Sequence, residues 1–348
     1  MSHAAAEGWL EQTQRAYTLA IGVLTLVGAA WIAHWGSPGP AVQAGVMAAA
    51  VALIGLPHGA FDLELGRRAL KPRLGRGWWV AFGGAYVALA ALAAGLWWAV
   101  PSVGLGLLLI MGALHWGVED LEAPPRSRPA RWWFGVSRGA IPVALPCLAH
   151  PGDVAEVFAA LGVEGIDGES IAKIAGAAVF AAIPGVAAGL WRTATHRSGR
   201  TLLLAVFELA VLTAWMIAAS PLLAFTVYFC GWHAVRHSLR SAAEIDPLRP
   251  VRALGRYAHA AAMPTALSIA AGLAFIAIAA GLDGEALRFD RWAQAVFVGL
   301  FALTVPHVLV ESIPALHRGA EDARAAARAA ERAGGTSQLS STAAGPSS

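Results

Sequence analysis

The chain has 348 residues, of which 57% are hydrophobic and 14% charged, and its mean hydropathy is +0.58. A water-soluble domain is about a quarter charged, so this composition excludes an ordinary soluble enzyme and points to lipid. The net charge of +3 and the pI near 9.2 come from short basic stretches between apolar runs and give no sign of a nucleic-acid partner.

A membrane-crossing helix needs about 20 mostly apolar residues. Residues 1–16 read as an N-terminal lead rather than a cleaved leader, since no cleavage site follows the first apolar run. From there the sequence predicts ten spans, at about 17–35, 40–62, 78–100, 102–119, 132–149, 171–191, 201–219, 221–238, 261–281 and 293–314. The fourth and eighth are short and end in polar motifs, and the fifth contains Pro142 and Pro146. The expected fold is all-α, a polytopic transmembrane bundle of about ten helices. Residues 17–318 form its catalytic domain, and residues 319–348 form a polar tail expected to be disordered. The 14 Trp and 38 Gly suit such a bundle, because Trp gathers at the interfaces and Gly lets helices approach.

The loops set the orientation. Arg67, Arg68, Lys71, Arg73 and Arg76 follow the second span; Arg126, Arg128 and Arg131 follow the fourth. Arg192, Arg197 and Arg200 follow the sixth, and Arg236, Arg240, Arg249, Arg252 and Arg256 lie at and beyond the end of the eighth. The loop at 150–170 after the fifth span is acidic, and only Arg288 and Arg291 break the alternation. The positive-inside rule then puts both termini in the cytoplasm of a cell carrying this multi-pass protein in its inner (cytoplasmic) membrane.

Four segments repeat one pattern, a histidine followed four residues later by another polar ligand type. They are His58 with Asp62, His115 with Glu119, His233 with His237, and His307 with Glu311. Positions i and i+4 share a helix face. All four pairs stand late in even-numbered spans, so imidazoles from four helices reach a similar depth toward the cytoplasm. Polar groups are costly in a bilayer unless they pair, face inward or bind something. Imidazole is the commonest metal ligand and suits iron, copper, zinc and nickel. The two cysteines, Cys147 and Cys230, lie in apolar runs, which argues against structural zinc and iron–sulfur clusters. Asp62, Glu119 and Glu311 either ligate directly or fix the tautomer of an imidazole, the usual outer role. Phe61, Trp116, Phe225, Tyr228, Phe229 and Trp232 crowd these motifs and read either as helix packing or as the wall of an apolar cavity. Arg138 and Glu208, isolated in apolar runs, read as a structural ion pair.

These motifs resemble the Brp/Blh family of membrane β-carotene 15,15′-dioxygenases. The likeness lies in Gly55-Leu56-Pro57-His58-Gly59-Ala60-Phe61-Asp62, in His115-Trp116-Gly117-Val118-Glu119-Asp120, in the run from Tyr228 to His237, and in Pro306-His307-Val308-Leu309-Val310-Glu311. The resemblance extends from about residue 20 to 315. It implies cleavage of the central 15,15′ double bond of β-carotene by O2 into two all-trans-retinal, with membrane lipid as the medium and a retinal-binding rhodopsin as recipient. It further implies Fe(2+) held by His58, His115, His233 and His237, with His307 either a fifth ligand or a substrate-site residue. Rival readings are another membrane non-haem iron oxygenase or desaturase, a haem protein, and a proton or metal transporter. The absence of an adjacent His-His pair weighs against a desaturase, and the absence of internal repeats against a transporter.

Overall fold

The computed structural model describes residues 3–121, 127–246, 249–283 and 289–312. Arg126, Arg288, His317 and the tail at 319–348 lie outside the described residues. Every element among the described residues is helical. The chain runs through α1 (His3–Trp35), α2 (Pro40–Ala50), α3 (Phe61–Leu74), α4 (Trp78–Ala99) and α5 (Pro101–Glu119). It continues through α6 (Arg128–Ala149), α7 (Pro151–Ala160), α8 (Gly168–His196) and α9 (Gly199–Ala218). The last elements are α10 (Pro221–Thr226), α11 (Val235–Ile245), α12 (Pro250–Asp283) and α13 (Phe289–Ser312). Proline opens α2, α5, α6, α7 and α10, where its missing N–H costs nothing and its fixed φ is already helical. The lead expected at 1–16 joins the first span without a break, because α1 begins at His3.

All ten apolar segments are helical, yet seven helical stretches are long and apolar enough to cross a membrane by length and composition. The differences have local causes. One stretch, Pro40–Ala99, contains two of the expected spans, joined by a turn at Gly75 whose φ of 54° suits glycine. α6 carries Arg128, Arg131 and Arg138. The 221–238 segment is divided between α10, a π-helical segment Val227–Ala234, and α11. The outer surface is that of a membrane protein: Leu24, Leu203, Phe180 and Leu273 on different helices are all exposed, a distribution of large apolar side chains that lipid accepts and water does not.

Two departures from the α-ladder place the histidines. Ahead of His58 the chain passes through a π-helical turn, Val51–Gly55, and a 3-10 turn, Leu56–Ala60. Pro57 has no N–H to continue the ladder through this stretch. The π-helical segment Val227–Ala234 contains His233, and π-bulges often accompany functional sites. α1 braces that segment and the start of α11: the Tyr17 hydroxyl donates to the Gly231 carbonyl at 2.5 Å, Trp232 Nε1 donates to Thr25 Oγ1 at 3.3 Å, and Gln14 donates to the Arg236 carbonyl at 3.3 Å.

α6 packs against both α5 and α8, α1 against α9, and α13 against α4. The α5–α6 crossing is glycine-mediated. A Cβ at Gly117 would lie 1.8 Å from the Gly135 carbonyl oxygen, and one at Gly139 would lie 1.9 Å from that of Ala113. Backbone meets backbone there, so no side-chain rotation relieves the clash. Gly117→Ala or Gly139→Ala is expected to destabilise the fold by at least the ~1–3 kcal/mol typical of overpacking. Thermal unfolding of the detergent-solubilised variants would show this as a lowered midpoint, whereas Gly95→Ala, where a Cβ meets nothing within 4 Å, should leave the midpoint unchanged.

Candidate metal centre

Five histidines meet in one cluster. The His58 ring lies 5.6 Å from His233, 5.5 Å from His237 and 5.1 Å from His307, centroid to centroid. The His115 ring lies 5.2 Å from His233 and 5.0 Å from His307. His233 and His237 are 5.9 Å apart, and His237 and His307 5.7 Å. His115, His233, His237 and His307 are buried. His58 and His115 come from the second and fourth expected spans, His233 and His237 from the eighth, and His307 from the tenth, so imidazoles from four expected spans lie together.

Each imidazole has one nitrogen turned toward an oxygen. The Nδ1–H of His58 donates to the Gly55 carbonyl, which the turn before Pro57 leaves available. His307 Nδ1 lies 3.0 and 3.1 Å from the two Asp62 oxygens, and the Tyr86 hydroxyl donates to Asp62 at 3.0 Å. His233 Nδ1 is 3.5 Å from Asp120, which accepts from the Tyr228 hydroxyl at 2.9 Å and lies 3.6 Å from Arg240. Glu311 reaches three rings: His237 Nε2 at 3.1 Å, His115 Nδ1 at 3.5 Å and His307 Nε2 at 3.7 Å. Nε2 of His115, His233 and His307 and Nδ1 of His237 are buried with no hydrogen-bond partner among the described residues. An unmade buried hydrogen bond costs about 1–3 kcal/mol, and several unpartnered imidazole nitrogens gathered in one cluster are a donor set that a divalent transition metal satisfies. One ligand atom each from His115, His307 and Glu311 already lie within 4.8 Å of one another. The residues present therefore fit a metal ion.

The carboxylates are placed less simply than the spacing suggests. Asp62 supports His307, from a helix 245 residues distant in sequence, rather than its own neighbour His58. Glu119 pairs with Arg131 at 3.6 Å and has no hydrogen bond to a histidine among the described residues. The carboxylate beneath His233 is Asp120, fully buried and one position past the end of α5. Its signal in the sequence is a second acid beside Glu119 in the same motif.

The aromatic residues divide. Phe229 lies 5.4 Å from His58 and stacks on Phe225 at 5.4 Å; Trp116 lies 6.0 Å from His233. Trp116 and Phe225 line a small apolar cavity of about 90 Å³ beside α6 and α7. Phe61 packs with Leu65, Tyr257 and Val310, while Tyr228 and Trp232 sit in the core beside Trp215 and Met216. The cavity that touches the cluster is a different one, of about 300 Å³, lined by His58, His307, Asp62, Tyr86 and apolar residues of α4, α12 and α13. Tyr257 on α12 donates to the carbonyls of Pro57 and His58 at 3.0 and 2.6 Å and so fixes the turn that carries His58.

Comparison with known proteins gives a consistent result. The family model described as beta-carotene 15,15′-dioxygenase matches residues 49–313, which include all five histidines. A probable beta-carotene 15,15′-dioxygenase Blh of Halobacterium salinarum is 29% identical over 84% of this chain and 90% of its own length. A beta-carotene 15,15′-dioxygenase of an uncultured marine bacterium is 26% identical over 75% of this chain and 90% of its own length. A probable beta-carotene 15,15′-dioxygenase Brp of Halobacterium salinarum is 27% identical over 59% of this chain. No solved structure matches the chain.

Proposed function

Because this chain belongs to the beta-carotene 15,15′-dioxygenase family, we propose that it cleaves the central double bond of β-carotene with O2, at an Fe(II) held by His58, His115, His233 and His237. The reaction balances without a reductant. The central C=C bond breaks, the polyene supplies the electrons, and each oxygen atom of O2 ends in the aldehyde of one all-trans-retinal. The observation that carries the reading is the group of buried imidazole nitrogens without hydrogen bonds, standing beside an apolar cavity. When bound, the iron supplies the one-electron chemistry through which a closed-shell polyene can react with triplet O2.

The protein residues contribute positions and protons. The Gly55 carbonyl and the Asp62 and Asp120 carboxylates face the Nδ1 atoms of His58, His307 and His233, an arrangement that leaves each Nε2 as the basic nitrogen. His307 and Glu311 complete the polar lining of the same centre, and Glu311 holds three of the rings in register. The apolar walls keep water from the reacting polyene, and the cavity orients the central bond. A substrate that dissolves in lipid enters from the bilayer, and a retinal-binding rhodopsin in the same cytoplasmic membrane is the natural recipient. Both termini then face the cytoplasm.

The test is expression in a β-carotene-producing host with 18O2. Two labelled retinal molecules should appear for each β-carotene consumed, and carotene that persists unchanged would refute the proposal. Asp62→Asn is a finer probe. If His307 also ligates the iron, loss of the negative charge behind it is expected to weaken iron binding by ~10–100-fold, the usual cost of removing a ligand's support; if His307 only lines the substrate site, activity should fall with iron affinity unchanged. Chelator competition would measure the first, and an unaltered dissociation constant together with unaltered activity would show that Asp62 serves packing alone.

A further inference from the structure

The 300 Å³ cavity at His58 and His307 does not end there. It shares Leu56, Leu267, Ser268, Leu300 and Leu303 with a second cavity of about 480 Å³ that extends between α4, α12 and α13. The two form one slot. Its walls are followed from Tyr86 to Trp98 on α4 and from Met263 to Ile276 on α12. On α13 they run from His307 back to Trp292. At 1.5 Å per residue this makes a channel of about 20 Å. Its one lining hydroxyl in the far part, Ser268, is committed to the Pro264 carbonyl at 2.9 Å. Trp98 and Phe275, with rings 5.6 Å apart, bridge α4 and α12 at the far end.

Three glycines keep this slot open. Gly83, Gly272 and Gly299 line it, one on each of the three helices, and a Cβ at any of them would meet nothing within 4 Å. Behind Trp116 and Phe225 a separate cavity, lined by no histidine, holds only about 90 Å³. The outer wall is α12, where Met263, Leu267 and Leu273 are exposed, an apolar surface suited to lipid.

We infer that the slot between α4, α12 and α13 is the half-site that holds one ring-terminated arm of the substrate, and that Trp98 and Phe275 form the end wall against which its terminal ring rests. This rests on the carotenoid-cleavage reading. The slot begins at the histidines and is lined mainly by apolar side chains, with Gln294 and Ser268 the polar residues of its far part, as one arm of a polyene whose central bond lies at the cluster requires. It follows that the two halves of the substrate meet unequal surroundings. Substrate length and ring size are read in this slot, by residues that touch no histidine.

Gly272→Phe and Gly299→Phe test this by filling the slot without a backbone clash. Each variant is compared with wild type on β-carotene and on a β-apocarotenal shortened at one end, alongside its iron content. The β-carotene to apocarotenal ratio of kcat/KM is expected to fall at least tenfold with iron unchanged, because the short arm still fits. Trp98→Ala should raise the kcat/KM for a ring-hydroxylated carotenoid relative to β-carotene. A ratio within twofold of wild type in both glycine variants, at full iron content, would overturn the inference and leave the slot to a lipid chain. A wild-type protein that cleaves neither substrate would instead refute the proposed function itself.

Discussion

Replacing His233 by alanine is expected to strip the protein of iron and to end retinal formation. The His233 side chain is completely buried, and its ring lies within 6 Å of His58, His115 and His237. Its Nδ1 faces Asp120, while its Nε2 has no hydrogen-bond partner among the described residues and is free to ligate. Loss of an outer support usually costs ~10–100-fold in metal affinity, and loss of a ligand costs more. Asp120 keeps Tyr228 and Arg240 as partners in the variant, so the buried carboxylate is not abandoned and the fold should survive. Metal analysis and retinal formation, measured on protein of normal thermal stability, decide the matter. His150→Ala is the control: that ring is exposed and bonds the Ile217 carbonyl at 2.9 Å. Iron content and activity equal to wild type in the His233 variant would remove it from the centre.

The second large effect lies outside the centre. Glu208 is 1% exposed and receives Arg236 at 2.5 Å and also Arg138. Arg236 is itself buried and immediately precedes His237. Glu208→Ala would leave two guanidinium groups without their carboxylate in an apolar setting, and breaking such a buried pair costs ~3–5 kcal/mol. The midpoint of thermal unfolding in detergent should fall steeply, and Glu208→Gln, which keeps an acceptor for both arginines, should fall less. Iron should be lost in parallel with stability rather than ahead of it. A Glu208→Ala protein that unfolds at the wild-type temperature would contradict the structural role.

The sequence carried much of this, and the failures have physical causes. Apolar runs revealed all ten apolar segments as helices, because they are a local property of composition, but α7 lies in the acidic stretch read as a loop and was missed. The i,i+4 spacing put His233 with His237 and His307 with Glu311 on common faces, since a helix period is also local. Asp120 escaped because α5 ends at Glu119 and the chain turns there, so the helical period does not extend one residue further. The Asp62–His307 pair escaped because it joins α3 to α13, and no local pattern encodes a contact between distant helices. The ion pair expected of Arg138 and Glu208 is present, but its third member, Arg236, reads in the sequence only as one of several basic residues past a span. The aromatic residues misdirect for a related reason. Closeness to a motif in sequence does not say which helix face a ring occupies, and Trp232 points to Thr25 rather than to a cavity. The slot itself is lined largely by Ala, Gly and Leu, the residues that fill lipid-facing surfaces as well, so nothing in composition marks it.

Carotenoid cleavage at this site requires that the clustered imidazoles hold iron. Metal-free protein reconstituted anaerobically with Fe(II) should bind one iron per chain and gain β-carotene cleavage in proportion to it. The His58, His115, His233 and His237 alanine variants should each lose both. Full-rate retinal formation by the metal-free protein, or a full complement of iron in all four variants, would contradict it.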